Sequence, residues 1–198
     1  LGALEWTLVP ENWSGRIEIR SALDGQVRNA GVARYRDLNS QHLEAVGIDA
    51  CDDDIIRLVV RTTQSRVRMA QAARTRLYTR GRQTPERHTR RALGWIAQDL
   101  ALEVDEGTPL RLEKIAALYT SRDKAISSPD DEALKEAREA GDFEHLLESH
   151  ERRWRHIWER FDMEVTGHER AQLILRLHTF HQLQTTSPNT LDLDVGVP

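Results

Sequence analysis

The hydrophobic period changes along the chain. Up to about residue 120 apolar residues recur every second position, and beyond it every third or fourth. A period of two belongs to strands with one face covered, and a period near 3.6 belongs to amphipathic helices. The order, strands first and helices after, predicts an α+β chain in which an antiparallel β-sandwich is followed by helices. It leaves no room for a parallel sheet, because Ile96 to Tyr119 cannot hold a crossover helix.

The strand signals are specific. Leu4 to Pro10 is apolar, and Pro10 ends it. Glu11 to Gly15 reads as a turn. Arg16 to Arg20 alternates strictly, with Ile17 and Ile19 on one face. Asp24-Gly25 reads as a hairpin turn. Ile55 to Thr63 is rich in β-branched residues. Arg66 to Tyr78 places Val67, Met69, Ala73 and Leu77 on one face and Arg66, Arg68, Arg74 and Arg76 on the other. Gly94 to Val104 continues through Ile96, Leu100 and Leu102. Leu110 and Leu112 alternate in one phase, and Ile115, Ala117 and Tyr119 in the other, which predicts a β-bulge near Glu113-Lys114.

The helical signals are equally local. Ser128 caps a helix opened by Pro129, with Asp130, Asp131 and Glu132 in its first turn and Gly141 at its close. Asp142 caps a second helix, whose stripe of Leu146, His150, Trp154, Trp158 and Phe161 keeps one face. A third, roughly His168 to Thr185, is apolar around much of its circumference, which predicts burial between neighbours. Few neighbours for it stand in this sequence, so the reading is of a piece of a larger protein.

Composition excludes some classes. No run approaches the roughly 18 apolar residues of a membrane span. Cys51 is the only cysteine, so no intrachain disulfide forms, and a cytoplasmic location is expected. Net charge is −4. The arginine face, with Arg80, Arg82, Arg87, Arg90 and Arg91, could contact nucleic acid. A solvated sheet face is the favoured reading, because no aromatics interleave with the arginines. His145, His150, His156, His178 and His181 lack metal-ligand spacing. Asp52-Asp53-Asp54 lacks a calcium-loop spacing and reads as a solvated loop. Trp13 is read as covering the sandwich core rather than a sugar. No catalytic residue and no metal ligand is assigned.

Four stretches, in order, resemble glycoside hydrolase family 65, the maltose, trehalose and kojibiose phosphorylases. They are Leu4 to Gly15 with Ser21-Ala22-Leu23-Asp24-Gly25 and Asn29-Ala30-Gly31, then Lys114 to Asp123, then His150 to Trp158 with Phe161-Asp162, then Gln172 through Arg176, Phe180 and Leu183. The resemblance implies a β-sandwich portion at 1–123, a helical connector at 124–162, and the start of an (α/α)6 catalytic barrel at 163–198. It implies a parent enzyme that phosphorolyses α-glucosidic disaccharides with inversion, giving β-glucose 1-phosphate and glucose. Inorganic phosphate would be the co-substrate, with no cofactor. The family's catalytic Glu and its phosphate-binding residues match no position up to Pro198, so this segment is expected to be structural. Its partners would be disaccharide and phosphate through the barrel, with a possible homodimer and neither nucleic acid nor membrane. A free-standing carbohydrate-binding or protein-interaction sandwich is the alternative.

Overall fold

The computed structural model describes residues 1–28, 40–79 and 85–185. Among these, eight strands precede three helices. They are β1 (Gly2–Leu8), β2 (Gly15–Asp24), β3 (Leu43–Asp52), β4 (Ile55–Thr62), β5 (Arg68–Tyr78), β6 (Glu86–Ala92), β7 (Trp95–Val104) and β8 (Leu110–Thr120). The helices are α1 (Pro129–Glu139), α2 (Phe143–Phe161) and α3 (Glu169–Thr185). The chain divides into two compact units, Leu1–Phe143 and Glu144–Pro198.

The first unit is an antiparallel β-sandwich with a helix on one outer face. One sheet has the order β1-β8-β5-β4-β3 and the other β2-β7-β6. Between them Leu23, Ile56, Leu58, Val60, Ala73 and Ile96 form one cluster, and Leu102, Val104 and Leu110 another. The alternation read from Arg16 to Arg20 holds here. Ile17 and Ile19 pack against the second cluster while Arg16, Glu18 and Arg20 are exposed.

Two local readings are corrected. Asp24-Gly25 is not a hairpin turn, because β2 pairs with β7 and not with the next strand. Gly25 serves a close approach instead. A Cβ there would stand 2.5 Å from Val60 Cγ1, and its N–H donates to the Gly94 carbonyl at 2.8 Å. A tight hairpin lies instead at Leu93-Gly94, between β6 and β7, where Gly94 has φ +66°. The bulge predicted in β8 is also absent. Its pairing with β1 and with β5 runs without a register shift, and the shifts fall in β3. The change of apolar phase has a different cause. β8 is covered on both faces, by the second sheet over Leu110 and Leu112 and by α1 over Ala117. Each end of the strand shows the pattern of whichever face is more deeply buried there.

Across the exposed face of the smaller sheet, Asp99 lies between two guanidiniums, Arg20 at 2.6 Å and Arg90 at 2.5 Å. Hydrogen bonding to Arg20 lowers its carboxyl from 3.8 to about 2. The folded state therefore holds a proton there less tightly than the unfolded chain. The stabilisation is complete above about pH 4 and disappears as pH falls through about 2. Asp99→Asn should melt below the parent protein at pH 6, and the gap should close in acid titration toward pH 2. A gap that is constant with pH would show that Asp99 contributes through shape alone.

The second unit contains α2 and α3. Trp154 stacks at 5.2 Å on Phe180 and at 6.4 Å on Trp158. Arg176 pairs with Asp162, and the Gln172 side chain spans the turn, accepting from Val165 N–H and donating to the Met163 carbonyl. The all-round apolar character of α3 does not translate into burial among the described residues. Leu173 is 68% exposed and Leu177 50%. Gln172, Leu175, Thr179, His181, Leu183 and Thr185 are its half-buried positions.

Candidate functional site

The first place where polar chemistry and burial coincide is the outer face of the larger sheet. Arg68, Ala70, Ala72 and Arg74 of β5 share this face with Ile115 and Ala117 of β8. The small side chains leave a shallow bed, and α1 lies in it through Ala133 and Ala137. Alanines on both partners let helix and sheet approach closely. The start of α1 follows the sequence reading: Ser128 Oγ accepts from Asp131 N–H, and Pro129 opens the helix. Its end does so only in part. α1 stops at Glu139 with Ala140 as C-cap, and Gly141 follows the cap as read but without the positive φ of a glycine-capped end.

Arginines bind the helix to this bed. Arg68 Nε donates to the Asp130 carboxylate at 2.8 Å, and Arg138 Nε to Asp52 at 2.7 Å. Arg57 reaches the Asp130 carbonyl at 3.4 Å and the Asp49 carboxylate at 2.8 Å. Arg74 is 3% exposed and donates to the carbonyls of Ala137, Arg138 and Gly141. Beside it Glu113, 1% exposed, accepts from Phe143 N–H at 2.8 Å and from the Tyr78 hydroxyl at 3.4 Å. Arg74 Nη2 and Glu113 Oε1 are 3.8 Å apart.

The arginine face is therefore not a solvated one. Its centre is the seat of α1, and the exposed arginines around it are paired: Arg66 with Glu44, Arg76 with Asp54. Arg87 points between the sheets, donating to Gln98 Oε1 and the Thr75 carbonyl, and burial pulls its guanidinium below its usual value. Arg80 and Arg82 lie outside the described residues, as does Asn29-Ala30-Gly31. The Asp52-Asp53-Asp54 loop is the β3–β4 turn, and it is tied down rather than merely solvated. Asp52 and Asp54 are ion-paired, and the Asp53 carbonyl accepts from Gln98. Lys114 faces the smaller sheet and donates to the Ala22 carbonyl at 2.8 Å, and burial lowers its ammonium.

The sequence held a signal for the buried helix seat. Ala70 and Ala72 occupy the same alternation as Arg68 and Arg74, and a solvated sheet face has no need of two adjacent small apolar positions. The role of Glu113 had no such signal, since acidic residues are numerous and its partners come from 35 and 30 residues away.

The second place is an open cleft of about 390 Å³ in the helical unit, lined by His150, Glu151, Trp154, Arg155, Trp158 and Phe180. The aromatic stripe of α2 forms this cleft, with His150 set edge-on to Trp154 at 6.2 Å. His181 bonds Gln184 at 3.0 Å, and His156 lies 3.7 Å from Glu159. Among the described residues no three His, Cys, Asp or Glu side chains stand together as metal ligands. Trp13 is 41% exposed, so it does not cover the core as read. No described helix is long and apolar enough to cross a membrane.

Trp154 makes the ring contacts on both sides of the stripe, so Trp154→Ala should cost about 2 kcal/mol, below the value for a fully buried indole. The loss should appear in the thermal melting of helical circular dichroism. An unchanged melt would mean that the α2–α3 pairing rests on other contacts.

Comparison with known proteins places these features. The family model described as "Glycosyl hydrolase family 65, N-terminal domain" matches residues 1–157. An uncharacterized glycosyl hydrolase of Mycobacterium tuberculosis H37Rv is 38% identical over all of this chain and 15% of its own length. A kojibiose phosphorylase of Halothermothrix orenii is 27% identical, over 99% of this chain and 25% of its own. A solved human-microbiome structure, named as a candidate kojibiose phosphorylase, superposes with a TM-score of 0.65 at 16% identity. It covers 86% of this chain and 21% of that one. The chain thus spans between about a seventh and a quarter of the length of these proteins.

Proposed function

The chain belongs to glycosyl hydrolase family 65, and from that membership we propose that it serves as the sandwich-and-connector part of an enzyme that phosphorolyses α-glucosidic disaccharides. The observation that carries the reading is the family match across residues 1–157, which runs through the sandwich, α1 and most of α2. The relative from Halothermothrix orenii is a kojibiose phosphorylase, which favours phosphorolysis over hydrolysis as the parent's reaction.

In this reading the acid that protonates the leaving oxygen and the site for attacking phosphate lie in other parts of the parent. Inversion follows from attack on the face opposite the leaving group. Disaccharide and phosphate are the parent's partners, phosphate is a co-substrate, and no cofactor takes part. A homodimer and a cytoplasmic location complete the proposal, the latter supported by a single half-buried cysteine. The role of residues 1–185 is structural and non-catalytic.

The test is an assay of the purified parent with phosphate and kojibiose, trehalose or maltose. Formation of β-glucose 1-phosphate supports the proposal. Release of glucose without consumption of phosphate would replace phosphorolysis by hydrolysis, and no turnover of any α-glucoside would sink both. The 198-residue chain alone should turn over none of them.

A further inference from the structure

We propose that the buried Arg74–Glu113 pair is a two-ended cap, coupling the end of α1 and the start of α2 to the pairing of β5 with β8. The end of a helix leaves carbonyls without partners and carries partial negative charge, and the start of the next leaves N–H groups and partial positive charge. Here one guanidinium takes three carbonyls at the end of α1, and one carboxylate takes the Phe143 N–H that begins α2. The cation is at the negative end and the anion at the positive end, which is the favourable sense at both. The two groups are brought within 3.8 Å of each other only because β5 and β8 are paired neighbours.

Several features say that this is a device rather than incidental packing. Both side chains are almost wholly buried, where an isolated charge of either sign would be strongly unfavourable. Each balances the other, and each has the residual bonding capacity that one helix end needs. Arginine suits the position because its planar fork reaches the carbonyls from two separate nitrogens in a fixed geometry, whereas an ammonium carries its donors on one atom. The connection between the helices is only Ala140 to Asp142, so both ends lie within reach of one ion pair. The consequence is conditional order. The α1–α2 turn is held when the sheet beneath it has closed, and loosens when either member of the pair is lost.

Amide hydrogen exchange of the 198-residue chain, read residue by residue by NMR, tests this. Arg74→Lys should speed exchange of Phe143 as well as of residues 138–140. Glu113→Gln should speed exchange of 138–140 as well as of Phe143. The expected factor is roughly ten to a hundred, that of losing one charge-assisted hydrogen bond. Such crossed effects are the signature of coupling, and effects confined to each variant's own helix end would overturn the proposal. Should the single variants fail to fold, the uncharged pair Arg74→Met with Glu113→Leu decides. Fast exchange at 138–143 with protected Ala72 and Ala117 amides supports the cap. Unchanged exchange at 138–143, or a double variant that cannot fold, would show that the pair serves the sheet rather than the helices.

Discussion

Arg74→Ala should destabilise the sandwich unit by about 4 kcal/mol. Removing one partner of a buried pair costs about 3–5 kcal/mol, because the other charge is left without compensation. Glu113 would be that charge, at 1% exposure. Three carbonyls around the end of α1 would lose their donor at the same time. The measurement is urea unfolding followed by circular dichroism, compared with Arg68→Ala as a control. Arg68 bonds the same helix but is 39% exposed along its side chain, so its loss should cost about 1 kcal/mol. Equal effects of the two substitutions would contradict the weight placed on burial.

Ile96→Ala should cost a similar amount, about 4 kcal/mol, by a different route. Ile96 is fully buried and belongs to the cluster that joins the two sheets with Leu23, Ile56, Leu58, Val60 and Ala73. Truncation removes apolar burial and leaves a cavity that a close-packed β-sandwich fills poorly. Its neighbours along β7, Trp95 and Ala97, point to the opposite face of the smaller sheet. Ala97 is also buried there but loses only a methyl group as glycine, so Ala97→Gly should cost about 1 kcal/mol. Equal losses for the two variants would mean that the inter-sheet cluster is not the main core. The two large effects also differ in kind. Ile96→Ala should weaken the whole unit, whereas the loss from Arg74→Ala should be concentrated at α1 and the turn that follows it.

Family and fold were both legible in the sequence, and for one reason: each rests on local pattern. Strands β2, β5 and β7 follow the alternation, because side chains on successive strand residues must face opposite sides, and β4 follows its run of β-branched residues. The start of α1 follows from Ser128-Pro129, because a cap and a fixed φ act within one turn. The collinear stretches that resemble family 65 are sequence properties by definition, and those up to Ile157 fall within the match over residues 1–157.

The misreadings share a cause as well. Asp24-Gly25 looks like a turn, but its glycine is required by Val60, 35 residues away. The phase change in β8 looks like a bulge, but reflects two different coverings of one regular strand. The arginine alternation of β5 looks like a wet face, but α1 lies on it. Each depends on what another part of the chain places nearby, and only the arginine face carried a local hint of it, in Ala70 and Ala72.

The sequence by itself determined the strand-then-helix order, the Ser128 cap of α1 and the family, since these are set by backbone sterics, short-range hydrogen bonding and residue identity. The tertiary structure alone decided which faces are dry. Arg74 and Glu113 carry charges that water would solvate at almost any surface position. Only the closure of β5 on β8 under α1 removes that water and makes each the other's partner, so their role exists only in the folded molecule.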